Sequence, residues 1–203
     1  MVERETRQAR NATDLPAQKG AAMDTAIRRT TDRTTDWRTI VTSRPLTGAL
    51  VAGFVATHLA TVTGYWYHGL ALTSGKGLPD LGWPGFNGLL LVPTESGLAQ
   101  FWTGAIFHFL TGMAFSLGFA LLLFPLIPWR NTVGGNLLKA LIFAWVLATI
   151  SALWWVPQLF PAINAGFFSN HLGWKTVFGI YLWHTIYGVN LGALYSPLPP
   201  EGV

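Results

Sequence analysis

Gly104-Ala105-Ile106-Phe107-His108-Phe109-Leu110-Thr111-Gly112 sets a histidine between two glycines, each four residues away, inside a long apolar run. Steps of four keep residues on one side of a helix, so Gly104, His108, Gly112, Ser116 and Ala120 form a narrow stripe of mostly small side chains. The pattern returns near the C-terminus as His184, Gly188, Gly192 and Ser196. A run this apolar, marked by small residues rather than charges, reads as a membrane helix packed closely on a neighbour.

Composition agrees. Of 203 residues, 51% are hydrophobic and 11% charged, whereas soluble domains carry about 25% charged residues. Six of the nine acids lie at or before Asp36, and nine of the thirteen Lys and Arg at or before Arg44. The net charge of +4 therefore describes residues 1–44, a polar basic tail without an apolar run, and carries no argument for a nucleic-acid partner. That tail reads as disordered or as a docking segment for another membrane subunit. Its first apolar segment begins near Leu46 and is too long for the core of a signal peptide. With no cysteine, disulfides and thiol chemistry are excluded.

Spanning a bilayer takes about 20 apolar residues, and four segments qualify: Leu46–His68, Gln100–Leu126, Leu137–Val156 and Trp174–Tyr195. Prolines 125, 128, 157 and 161 are expected to stop the second and third. Basic residues concentrate before the first span and between the second and third, which predicts cytoplasmic N and C termini. Tyr65, Trp66, Tyr67, Trp83, Trp102, Trp129, Trp154, Trp155 and Trp174 fall near predicted span ends, as an aromatic belt would.

Three blocks repeat in order. Leu59–Trp66 reads onto Leu147–Trp154, carrying Ala52, Ala56 and Ala60 onto Ala140, Ala144 and Ala148. Trp83-Pro84-Gly85-Phe86-Asn87 resembles Phe160-Pro161-Ala162-Ile163-Asn164, and His108 with Gly112 meets His184 with Gly188. The expected fold is an all-α integral membrane bundle over 45–203: four transmembrane helices as two parallel helix–loop–helix repeats, at about 46–126 and 137–196. The Asn87 and Asn164 segments are expected to form matching turns or short re-entrant caps, each Asn capping a turn after proline.

Between Trp37 and Pro200 the only carboxylates are Asp80 and Glu95, both in the first outer connection. No span interior holds Asp, Glu or Arg, and Lys139 is placed at a span end, which argues against proton pumps, charged-residue transporters and voltage sensors. No phosphate loop, metal-protease helix or nucleophile elbow is present, so catalytic residues are none and no metal site is expected. Histidine remains. Counted at ~1.5 Å per residue, His58, His108 and His184 lie at similar depth. His108 and His184, with small neighbours one turn away, are candidate ligands for haem b or a chlorin; His58, without a counterpart in the second repeat, is a weaker one. The same pair also suits a purely structural hydrogen bond between helices.

The leading expectation is a non-catalytic accessory subunit of a larger respiratory or photosynthetic membrane complex, filling a helix interface and holding lipid, quinone or pigment. A bacterial inner membrane, cytoplasmic or intracytoplasmic, is the expected location. The alternatives are a small b-type cytochrome carrying electrons through a haem between two histidines, and a small transporter or channel.

Overall fold

The computed structural model describes residues 36–66, 82–95, 97–127, 132–159, 161 and 164–197, and among these there is helix and no strand. The chain divides after Trp37, and the fold described below is that of the unit Arg38–Val203. Its helices are α1 (Trp37–Ser43), α2 (Pro45–Trp66), α3 (Gly82–Leu91), α4 (Gly97–Leu126), α5 (Val133–Leu159) and α6 (Trp174–Leu194). A 3₁₀ turn, Phe167–Leu172, precedes α6. His68, Asp80, Tyr67, Trp129 and Pro128, and the tail before Asp36, lie outside the described residues.

Three helices are long and apolar enough to cross a membrane: Pro45–Thr63 within α2, all of α4, and all of α5. This is a helical membrane protein. The 21-residue α6 is as long as a span but carries Lys175, His184 and Asn190, and is not among the three. In the chain, α2 packs on α4 and α6, α5 packs on α6, and α3 lies along α4.

Small side chains set these contacts. Ala52, Ala56 and Ala60 on α2, and Ala140, Ala144 and Ala148 on α5, are all fully buried. Gly112 of α4 faces Thr57, and Gly53 of α2 faces Ser116, whose hydroxyl donates to the Ala49 carbonyl at 2.7 Å. On the other pair, Gly188 sits against Ala144 and the Ala140 carbonyl, and Gly192 against Leu137 and the Asn136 carbonyl. Lipid supplies no hydrophobic force between helices, so close backbone approach and the dispersion it permits must hold them together. Gly104 belongs to the same stripe but meets a different element: a side chain there would collide with the Pro84 carbonyl and the Gly88 nitrogen of α3.

Two expectations are corrected here. Pro157 does not stop its helix, because α5 continues to Leu159; α4, by contrast, ends at Leu126, the end expected for the second span, one residue past Pro125. In each case a π-helical turn ends two residues before the proline: Phe119–Leu123 before Pro125, and Ser151–Trp155 before Pro157. Proline lacks the N–H for the regular bond, and its ring displaces the carbonyl four residues back. A widened turn absorbs that displacement, as membrane helices allow. The second correction concerns the Asn segments, which do not match. Trp83 to Asn87 lies inside α3, so Asn87 caps no turn. Asn164 lies outside the helices with φ of 49°, and its N–H donates to the Pro161 carbonyl at 3.1 Å, as expected of a turn after proline, while Ala162 and Ile163 are outside the described residues.

Candidate functional site

The two histidines of the stripe motif meet at one place. A partly open cavity of about 100 Å³ lies where α3, α4, α5 and α6 converge. His108 and Thr111 line it from α4, Trp83 and Asn87 from α3, Ser151 and Trp155 from α5, and Trp183 and His184 from α6. Phe107, Phe115, Leu147, Ile150, Val156 and Ile180 supply apolar wall, and among the described residues no charged side chain lines it.

The hydrogen bonds determine the state of each ring. Asn87 donates its amide to the Trp83 carbonyl at 3.1 Å and to His108 Nδ1 at 3.1 Å. Thr61 donates to the Thr57 carbonyl at 2.7 Å, so its oxygen accepts from His108 Nε2–H at 2.9 Å. Since both partners' roles are set by backbone carbonyls, His108 is the Nε2–H tautomer with both nitrogens occupied. The His184 ring differs. Its Nδ1–H donates to the Ile180 carbonyl at 2.7 Å, leaving an acceptor lone pair on Nε2, whose nearest polar partner is Ser151 Oγ at a weak 3.5 Å.

Trp183 stands between the two rings. Its indole is 5.1 Å from the His108 ring and 5.0 Å from the His184 ring, edge-on to both, and stacks on Tyr187 at 5.4 Å. Its buried Nε1–H has no hydrogen-bond partner among the described residues. Tyr187 in turn donates to the carbonyl of Gly112, a cavity-lining residue, at 2.7 Å, joining α6 to α4. On the α5 side, the π-helical turn carries Ser151 and Trp155. The 3₁₀ turn covers that turn, with Ser169 donating to the Ala152 carbonyl at 2.8 Å.

The remaining predicted residues fall elsewhere. His58 is exposed on α2, stacked at 6.0 Å on Phe109. His171 bonds the Asn164 carbonyl at 3.1 Å on the surface. Trp102, Trp154 and Trp174 are exposed, whereas Trp83 and Trp155, expected in an aromatic belt, turn inward to the cavity. Lys139 is not at a helix end. Because α5 begins at Val133, Lys139 is buried, with its ammonium 4.3 Å above the Phe124 ring. Among the described residues no three His, Asp or Glu side chains are grouped to hold a metal ion. Sequence reasoning overlooked Thr61, Trp183 and Tyr187. The signal for the last two was present, since Trp183 and Tyr187 are four apart on the face that carries Gly188 and Leu191.

The cavity volume bears on what it can hold. An apolar protein cavity of ~150 Å³ takes up benzene, so about 100 Å³ with an open side suits one six-membered ring. A tetrapyrrole is far larger, and His108 would have to give up Thr61 or Asn87 to ligate its metal. No protein-family model matches this chain, and no curated protein or solved structure matches it.

Proposed function

We propose that this protein is a non-catalytic subunit of a larger energy-converting membrane complex, filling a helix interface and holding a small lipophilic molecule inside its own helix bundle. The observation that carries the reading is the cavity, where polar groups from α3, α4, α5 and α6 converge in an aromatic-walled space without a charged side chain among the described residues. In this reading α6 is a fourth span, the helix pairs α2–α4 and α5–α6 are parallel repeats, and both termini face the cytoplasm of a bacterial inner membrane. The buried alanine stripes on α2 and α5, with glycine at both the α2–α4 and the α5–α6 contacts, support the repeat. Broad exposed apolar surface, including Phe54, Trp102, Ile106, Leu110, Trp145 and Val146, supports burial in lipid or against other subunits.

Gentle detergent extraction followed by native electrophoresis tests the reading. A tagged copy is expected to run in an assembly well above its own 22.2 kDa; migration as a lone chain under conditions that preserve neighbouring complexes overturns it. The cytochrome alternative is tested on the same material, since bound haem b gives a Soret band that His108→Ala abolishes.

A further inference from the structure

Ser151 and His184 come from different helices, α5 and α6, and both line the cavity. Their side chains meet through one contact, Ser151 Oγ to His184 Nε2 at 3.5 Å, too long for a good hydrogen bond. Each is held from behind. The His184 Nδ1–H is engaged by the Ile180 carbonyl at 2.7 Å, so Nε2 is an acceptor. Ser151 opens the π-helical turn, in which the Val156 N–H bonds the Ser151 carbonyl five residues back. The next carbonyl, that of Ala152, would in the same register need an N–H from residue 157, which is proline. Ser169 donates to it instead at 2.8 Å, so the 3₁₀ turn before α6 secures the widened turn that carries Ser151.

A hydroxyl donor and an imidazole acceptor this close together fit an oxygen that both accepts and donates. An ionised carboxylate has no proton for Nε2, an ammonium has no lone pair for the serine, and a hydrocarbon or an ether leaves Nε2 unmet. A hydroxyl meets both from one atom, replacing one weak contact by two good ones. Water can do so too, but one water needs roughly 10–15 Å³ and two to four polar partners. The cavity is about 100 Å³, and beyond this pair, Thr111 and the mutually bonded Asn87 and His108, its wall is aromatic, aliphatic or glycine. Further waters there find few partners, whereas a hydrocarbon body buries apolar surface.

Resting on the reading that the cavity holds a lipophilic molecule, we propose that Ser151 and His184 bind the hydroxyl of a lipophilic alcohol, whose hydrocarbon body fills the remaining space. The alcohol oxygen accepts from Ser151 Oγ–H, and its O–H donates to His184 Nε2. His108, bonded to Thr61 and Asn87, is wall rather than a ligand contact.

The test is photolabelling of the full chain in detergent with octanol carrying a diazirine at its third carbon, the labelled residues being located by mass spectrometry. Saturable labelling of cavity-lining residues is expected, competed by octanol. Nonane, heptyl methyl ether and octanoate should each compete about five-fold or more weakly at equal free concentration. Ser151→Ala and His184→Phe should each lower the affinity for the label about five-fold. Equal competition by nonane, the ether or octanoate, or unchanged affinity in either variant, overturns the hydroxyl site while leaving a lipophilic guest. Labelling that never saturates, or none in the cavity because the pair holds only water, overturns that guest as well. Should His184→Phe fail to fold, Ser151→Ala decides alone, equal affinity counting against the proposal.

Discussion

The α2–α4 pair and the α5–α6 pair use the same helix chemistry but surround their histidines differently. In each an alanine stripe is fully buried and glycine lets the helices close: Gly188 and Gly192 of α6 meet Ala144 and Ala140 of α5, while Gly112 of α4 meets Thr57, and Gly53 meets Ser116, across the α2–α4 contact. The difference is α3. In the first pair this 10-residue helix lies directly on α4, and Gly104 is glycine because α3 backbone occupies the place of a side chain. From α3 comes Asn87, which completes the bonding of His108. The second pair has no such helix among the described residues, and the position equivalent to Gly104 is Ile180. That isoleucine is buried in an apolar cluster with Ala148, Ala152, Val156, Ala165 and Leu172. Without an Asn partner, His184 turns Nδ1 back to its own helix and leaves Nε2 toward the cavity. One added short helix thus divides two similar histidines into a satisfied one and an open one.

That contrast can be broken most severely at the position where the two pairs disagree. Gly104→Ile should drive a side chain into α3 backbone and cost about 3 kcal/mol or more, read as a loss of folded protein in detergent unfolding. The reciprocal Ile180→Gly should cost about 2–5 kcal/mol by leaving a cavity. Tolerance of Gly104→Ile would mean that α3 does not lie on α4.

The histidines come next. His108→Ala strands the Asn87 amide and removes the donor to Thr61, for about 1–3 kcal/mol. His184→Ala removes one good bond, to a carbonyl within its own helix, and should cost about 1 kcal/mol. Equal unfolding midpoints for the two variants would erase the distinction drawn between them.

Smaller effects sharpen it further. Tyr187→Phe deletes the bond from α6 to the Gly112 carbonyl and should cost about 1 kcal/mol, within the range measured for hydrogen bonds between membrane helices. Because Gly112 lines the cavity, the same variant should also weaken any guest there, a readout separate from stability. His58→Ala, on an exposed face, should shift the midpoint by no more than about 0.5 kcal/mol.

The membrane class and the small-residue faces were legible because both depend on local properties. Apolar length and the four-residue spacing of Gly, Ala and Ser need no knowledge of partners. The depth argument put His58, His108 and His184 level; His108 and His184 line one cavity, whereas His58 is exposed on α2. Pro157 misled, because a helix end and a π-helical turn before proline begin from the same local clash. Only the surrounding packing decides which relieves it. Asn87 misled for a related reason. Pro-Gly-Phe-Asn has turn chemistry, yet the segment becomes a helix once it can lie on the glycine face of α4.

By itself, then, the amino-acid sequence determined that this is a helical membrane protein whose helices approach through small residues, since composition and period 3.6 are properties of a single helix. Tertiary structure alone decided that His184 keeps a weakly partnered ring nitrogen beside a cavity while His108 does not. That depends on which backbone carbonyl or amide lies within about 3 Å of each nitrogen, and here one short helix, α3, supplies such a partner to His108 alone.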